Sequence, residues 1–326
     1  MNSSTINDLT ADIRTLEFAA ALRRLLGPAR LPTSVQEARA TWEVPAVWPD
    51  ALVRAGGADM TLPEEPPTRC ISNRVIRLRA HAVSVRVLLP EKVDGIYVHM
   101  HGGGWATKLP IHYDCWNWRL ARSCNLAVVS IDYRRAPEHP YPAPVDDCEV
   151  TVLWTILRGH EEFGTGRVVV GGDSSGASLA AVTLQRLRDR HDCRQVIAAD
   201  LLYGMYDLSL TPSVRRWRDT ELGVSREILA WLVSLYVQEQ CRQDPDVSPL
   251  YGDLQGMPPA LLSVGTLDPL LDDTLFMQAR WLSAGNSARL ALYPGGTHNF
   301  DRLPLPLADQ CWQARTAFLR ERLTAG

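Results

Sequence analysis

The 326-residue chain contains no C-x-x-C pair, no H-E-x-x-H, no dense run of basic residues, and no apolar stretch near the roughly 18 residues of a membrane-spanning helix. Each absence removes a class of function. Seven cysteines, Cys70, Cys115, Cys124, Cys148, Cys193, Cys241 and Cys311, are odd in number and far apart, which favours reduced thiols over a disulfide framework or a zinc site. The eight histidines show no ligand spacing, so no metal and no cofactor is expected. A formal charge of -3, a pI near 6.2 and scattered Lys and Arg argue against a nucleic-acid partner. Residues 1–10 lack the charged and apolar regions of a secretion signal, and the expected location is cytoplasmic. Neither an internal repeat nor a low-complexity tract interrupts the chain, and 46% hydrophobic residues over this length are ample for a core.

The stretch that organises the rest is residues 166–190. Val168, Val169 and Val170 read as a strand that breaks at Gly171 and Gly172, and a helix-prone stretch carrying Leu179, Val182 and Leu187 begins just after Gly176. Between them lies Gly172-Asp173-Ser174-Ser175-Gly176, a G-x-S-x-G pentapeptide in strand-turn-helix context. Such a nucleophile elbow forces its serine into a strained conformation, so the residues two before and two after must be small. A bare pentapeptide of this form is also found as a Gly-Ser loop feeding a helix. The functional reading places the Ser174 hydroxyl at a helix N-terminus, where unpaired amides favour developing negative charge.

A serine nucleophile needs an oxyanion hole, an acid and a base. Directly after the apolar run 95–100 stands His101-Gly102-Gly103-Gly104-Trp105, whose glycines leave backbone N–H groups unobstructed by side chains. A phosphate cradle is disfavoured because no G-K-[ST] follows. For the acid, Asp268 lies just past a strand ending near Val264, and Pro269 stiffens its turn; Asp272 and Asp273 are rivals better suited to starting the next helix. His298, in Tyr-Pro-Gly-Gly-Thr-His-Asn-Phe, follows after one more helix and strand, in a glycine-rich loop able to bend the imidazole toward Ser174. It is the sole histidine after the acid, and the order Ser, Asp, His is that of α/β-hydrolases.

The remainder of the pattern fits the α/β class. Leu16, Ala19, Ala20, Leu22, Leu25 and Leu26 trace a helix face that Gly27-Pro28 ends, and Trp42 to Pro67 has no clear period. Alternation at 75–79 and 83–89, then apolar runs at 95–100, 126–131 and 196–202, read as strands, with a helix after Pro144 carrying Val150, Leu153, Trp154 and Leu157. Between Tyr203 and Pro258 the alternation pauses, apart from a helix over 226–240. It resumes with a strand at 259–264, a helix at 272–283, a strand at 288–293 and a helix at 308–323. The expected architecture is a mostly parallel sheet flanked by helices.

Together, His101 to Trp105, Asp132-Tyr133-Arg134-Arg135-Ala136-Pro137-Glu138-His139-Pro140, Gly172 to Gly176, Asp268-Pro269-Leu270 and Gly295-Gly296-Thr297-His298-Asn299-Phe300 give a chain that resembles the hormone-sensitive-lipase-like esterases of the α/β-hydrolase superfamily, over roughly residues 70–320. That resemblance implies an α/β-hydrolase fold with Ser174 as nucleophile, His298 as base, Asp268 as acid, and the amides of Gly103, Gly104 and Ser175 as oxyanion hole. It also implies a helical cap from the two irregular regions. The expected division is 1–68 as N-terminal cap segment, 69–202 as first core part, 203–258 as cap insertion and 259–326 as second core part. Ser175 departs from the family's usual alanine and Arg135 from a usual leucine, while residues 112–118 are unusually aromatic. These departures bear on substrate, since only the backbone of Ser175 is needed.

The implied chemistry is acyl transfer through an acyl-enzyme, with a rate that falls as His298 protonates. A carboxylic ester hydrolase for small to medium acyl esters is the leading reading. An amide or N-acetyl hydrolase would use the same triad. A ligand-binding receptor on the same fold is the third reading, against which His298 counts. Trp105 and Trp116 are candidate pocket-lining residues, although core packing is favoured for Trp116 and Trp118, and burial as a free thiol is favoured for Cys115. Small-molecule substrate aside, the resemblance leaves room for a homodimer.

Overall fold

The computed structural model describes residues 13–26, 30–42, 64–220 and 222–325. Eight strands form one sheet: β1 (Ile71–Leu78), β2 (His81–Leu88), β3 (Gly95–Met100), β4 (Leu126–Asp132), β5 (Val168–Asp173), β6 (Val196–Leu202), β7 (Ala260–Leu267) and β8 (Ala288–Thr297). Their spatial order is β1-β2-β4-β3-β5-β6-β7-β8. β1 pairs antiparallel with β2 and β2 with β4, whereas every later pair is parallel. This is the α/β-hydrolase arrangement expected of the sequence.

The period of two explains why β3, β4 and β5 are apolar throughout. Ile96, Val98, Met100, Ala127, Val129, Ile131, Val168 and Val170 enter the core on one face, while Tyr97, Leu126, Val128 and Val169 enter the core on the other. Helices cover both faces. In chain order they are α1 (Ile13–Leu26), α2 (Val35–Trp42), α3 (Asp114–Cys124), α4 (Ala143–Phe163), α5 (Ser175–His191), α6 (Pro212–Arg216), α7 (Arg226–Tyr236), α8 (Leu271–Ser283) and α9 (Pro306–Thr324). Residues of α4, α5 and α8 join the first core, and residues of α3 and α9 the second. Burying both faces of the sheet is the main source of stability, at about 25 cal/mol per Å² of apolar surface.

Two regions outside this alternation lie at the C-terminal ends of the strands. Phe18, Ala19, Ala21 and Leu22 of α1 pack with Leu202, Tyr203, Val264, Tyr293 and Phe300. Arg39 of α2 donates to the Ala106 and Ala136 carbonyls and pairs with Glu138, while Trp42 meets Trp231 of α7 edge-on at 6.2 Å. The helix stop expected at Gly27-Pro28 lies outside the described residues, as does most of the irregular stretch from Trp42 to Pro67.

Several boundaries differ from the sequence reading. The helix expected over 226–240 ends at Tyr236, because Val237 turns extended and Glu239–Cys241 form a separate 3-10 turn. β7 runs to Leu267 and β8 to Thr297, beyond the expected 264 and 293. Gly265 and Gly296 permit this: a Cβ on Gly265 would fall 2.0 Å from the Gly296 carbonyl oxygen, so the two backbones approach where side chains would hold them apart. Leu157, read as part of the apolar face of its helix, points to solvent at 65% exposure. All seven cysteines are free. Cys115 is half-buried, and its thiol is pushed up by burial and by the nearby Glu65 and Asp114 carboxylates, the reverse of an activated thiolate.

Candidate active site

Ser174 follows β5 immediately, at the middle of the sheet, with φ 53° and ψ -123°. A non-glycine residue holds such a backbone only where its surroundings dictate it. The surroundings here are tight. The Ser174 amide donates to the Leu202 carbonyl at 2.9 Å, and a Cβ on Gly176 would stand 1.9 Å from the Met100 carbonyl oxygen. The small residues expected on either side of the serine are therefore demanded by the close approach of β3 to the start of α5.

Asp268 and His298 arrive at the ends of β7 and β8. His298 Nε2 lies 3.1 Å from Ser174 Oγ, and its Nδ1 lies 2.9 Å from Asp268 Oδ2. Because a carboxylate only accepts, Nδ1 carries the hydrogen and Nε2 faces the serine as an acceptor. Asp268 is 1% exposed, and its other oxygen accepts the Leu270 amide at 2.8 Å, which locks its rotamer. Tyr203 packs edge-on against the imidazole at 4.8 Å. The expected glycine-rich loop carrying His298 is instead the last turn of β8, since Gly295 and Gly296 belong to the strand. The base is thus presented by a strand end, which is stiffer than a free loop.

The rival carboxylates go elsewhere. Asp273 accepts the amides of Tyr206 and Asp207 and the Thr211 hydroxyl, and Asp272 accepts the Ser213 amide. Burial pushes the Asp273 carboxyl up to about 7 despite those three hydrogen bonds. Both side chains clasp the chain as it leaves β6.

The glycine loop after β3 faces the elbow. Gly103 and Gly104 have φ of 109° and 60°, and their amides have no acceptor among the described residues. Ala106 and Thr107 amides and the Thr107 hydroxyl all donate to the Gly103 carbonyl, which curls the loop back on itself. His101 props it from below: Nδ1 meets the Gly102 carbonyl at 2.8 Å, and Tyr133 stacks on the imidazole at 4.1 Å while donating to the His101 carbonyl. Burial lowers the His101 pKa to about 3, so the ring is neutral. Ser175 begins α5, and its hydroxyl is buried without a partner among the described residues.

The two tryptophan candidates separate. Trp105 is 1% exposed and stacks on Tyr236 of α7 at 4.6 Å, so it forms the contact between the glycine loop and that helix. Trp116 stacks on Trp312 at 6.1 Å and packs with the core between α3 and α9, which places it in the scaffold and away from Ser174. Two residues were missed by the sequence reading: Asp173, which is the unnamed second position of the pentapeptide, and Arg302, which pairs with it at 2.9 Å. Cavities of about 650 and 620 Å³ open around Arg188, Arg194, Met257 and Pro258, at the N-terminal ends of the strands and so at the opposite end of the sheet from Ser174.

A family model described as alpha/beta hydrolase fold matches residues 97–302. The chain is 35% identical over 214 residues to the carboxylic ester hydrolase LipN of Mycobacterium tuberculosis, a match that covers 63% of this chain and 57% of that protein. It is 30% identical over 307 residues to an ethyl acetate hydrolase of Pseudomonas putida, covering 91% and 92%. Among solved structures, an esterase from the bacterial hormone-sensitive lipase family superposes with a TM-score of 0.76 at 25% identity, covering 96% of this chain and 99% of that one. No described helix is long and apolar enough to cross a membrane.

Proposed function

The chain belongs to the α/β-hydrolase fold family, in its hormone-sensitive-lipase-like branch, and from that premise we propose that it hydrolyses carboxylic esters of small to medium acyl groups through an acyl-enzyme on Ser174. One observation carries the assignment of roles: the unbroken relay from Ser174 Oγ to His298 at 3.1 Å and on to Asp268 at 2.9 Å.

In this reading His298 Nε2 takes the Ser174 proton as Oγ attacks the ester carbonyl. The amides of Gly103, Gly104 and Ser175 receive the oxyanion in a site where few other dipoles need to reorganise. Breakdown of the tetrahedral intermediate expels the alcohol, which leaves with the proton held by His298. Water then attacks the acyl-enzyme with His298 again as base, the carboxylic acid departs, and Ser174 recovers its proton. Asp268 holds the imidazole in the required tautomer and supports its positive charge.

A preference for short acyl groups is supported by what lies above the glycine loop. Leu232 of α7 crowds Gly104, and Trp105 is sealed against Tyr236. The name of one relative, a carboxylic ester hydrolase, agrees with an ester as substrate, and that of another, an ethyl acetate hydrolase, with a small one. Residues 1–68 and 203–258 act as a cap in this reading, supported by the packing of α1 and α7 over the strand ends that carry the triad. A homodimer and a cytoplasmic location are further proposals, checked by sedimentation of the purified protein and by cell fractionation.

The test is hydrolysis of p-nitrophenyl esters from acetyl to dodecanoyl beside the matching anilides, with parent protein and Ser174→Ala. Turnover of short esters that vanishes in Ser174→Ala is expected. Faster turnover of anilides would move the assignment to an amide hydrolase, and no turnover by a folded parent would sink it.

A further inference from the structure

The residue immediately before the nucleophile is a buried carboxylate with four neighbours from three different segments. Asp173 is 3% exposed. Its Oδ1 accepts the Gly102 amide at 3.3 Å and lies 3.7 Å from His99 Nε2; its Oδ2 lies 2.9 Å from Arg302 Nη2 and accepts the Tyr113 hydroxyl at 3.4 Å. Gly102 precedes the two glycines of the oxyanion loop, and Arg302 follows His298 by four residues. The guanidinium also lies over the Tyr113 ring, 4.4 Å from its centroid. Burial opposes the Asp173 charge, but Arg302 and His99 more than offset that effect and keep the carboxylate ionised.

From this geometry we infer that the Asp173–Arg302 ion pair is the positioning element that holds the nucleophile elbow, the oxyanion loop and the histidine loop in mutual register. This rests on the serine hydrolase reading above. The three segments leave three different strands, β5, β3 and β8; the Ser174 amide still pairs with Leu202, but the ladder stops at Met100 on the oxyanion side and at Thr297 beside His298. Their relative placement therefore depends on what ties them together past the strand ends. Asp173 touches the first by peptide bond, the second by accepting the Gly102 amide and the third by its ion pair with Arg302. Asp268 ties His298 to β7 and leaves the oxyanion loop untouched, so it cannot do the same.

The relay itself runs from Ser174 through His298 to Asp268, so the effect of the Asp173–Arg302 pair is on geometry, not on proton transfer. A displacement on the order of 1 Å at a reacting centre costs about a hundredfold in rate. A loss concentrated in kcat follows, because ground-state binding of a small ester depends less on this register than the transition state does. Breaking one partner of a buried pair is also more damaging than removing both, since it strands the other charge.

The experiment is a double-mutant cycle on the full chain with p-nitrophenyl acetate: Arg302→Met, Asp173→Asn, the combination, and Arg302→Lys. The expected result is a kcat at least about tenfold lower in Arg302→Met with KM within about twofold, partial recovery in Arg302→Lys, and a double variant no worse than the worse single. Unchanged kcat in a folded Arg302→Met with only a lower melting temperature would reduce the pair to scaffolding and overturn the inference, as would losses that multiply in the double variant. Should Arg302→Met fail to fold by circular dichroism, Arg302→Lys and Asp173→Glu replace it, since they keep both charges and alter only reach: lowered kcat at parental melting temperature supports the inference and parental kcat overturns it. Ser174→Ala in the same series keeps the two readings apart, because turnover insensitive to that substitution would refute the hydrolase assignment whatever Arg302 does.

Discussion

Leu232, on the helix Arg226–Tyr236, lies directly over Gly104 of the glycine loop: a Cβ placed on Gly104 would meet Leu232 Cδ1 at 2.4 Å. The leucine therefore sets the head-room above the amides proposed to receive the oxyanion, and the glycine is what lets the helix come so close. Leu232→Ala is expected to raise kcat/KM for hexanoyl and longer p-nitrophenyl esters relative to acetyl by on the order of tenfold. Truncating a buried leucine should also lower stability by about 2 to 5 kcal/mol. A folded variant with the parental chain-length profile would show that the limit on acyl size lies elsewhere.

The two acidic residues that compete with Asp268 in the sequence permit a clean comparison. Asp268→Asn removes the acceptor that fixes the His298 tautomer, and kcat should fall by roughly 10³ to 10⁴ with the fold intact. Asp273→Asn should instead lower the melting temperature while leaving kcat within a few-fold, because Asp273 serves the Tyr206, Asp207 and Thr211 contacts. Steady-state kinetics beside thermal unfolding of both variants decides the matter; the reverse pattern would exchange their roles.

His101 makes stability depend on pH. Burial depresses its folded pKa from 6.5 to about 3, so below about 6.5 the unfolded chain binds a proton that the folded chain refuses. The contribution is complete above about pH 6.5 and is lost as pH falls toward 3. Between pH 7 and 5 it amounts to on the order of 2 kcal/mol. Urea unfolding of the parent and of His101→Asn across that range should show a shallower decline in the variant; parallel declines would mean the imidazole is not held neutral.

The elbow should tolerate no side chain at Gly176, where a Cβ would overlap the Met100 carbonyl oxygen. Gly176→Ala must push α5 away from β3, at a cost of about 3 kcal/mol, and the shift moves Ser174 with the helix. The expected variant has a lower melting temperature and almost no esterase activity. Parental turnover in Gly176→Ala would mean that the helix start can relax without disturbing the nucleophile.

The parts legible in the sequence are those written in local chemistry. The valine run before Gly171 marks β5 because β-branched side chains suit a strand buried on both faces, and the pentapeptide after it admits few backbones. Ser174, Asp268 and His298 could be named because each follows a strand, and strands announce themselves by composition and period. The ends of β7 and β8 differ from the sequence reading for a related reason: Gly265, Gly295 and Gly296 read as loop residues one at a time, and only the close approach of Gly265 to Gly296 lets pairing resume at Leu267 and Thr297 past an irregularity in the register.

Tertiary structure alone decided what lies between these landmarks. Asp173 and Arg302 stand 129 positions apart, by the difference of their numbers, and no local pattern links an acid at a strand's end to an arginine after a histidine. Leu232 belongs to an amphipathic helix whose own sequence says that one face is buried and nothing about Gly104 being beneath it. Trp105 and Trp116 are both candidate pocket-lining aromatics in the sequence, with core packing favoured for Trp116; in the fold one closes the glycine loop and the other joins the scaffold. Sequence determined which groups are proposed to carry the chemistry, since those depend on covalent identity and short-range backbone geometry; folding decided their register and the space left beside them, since those depend on contacts between segments distant along the chain.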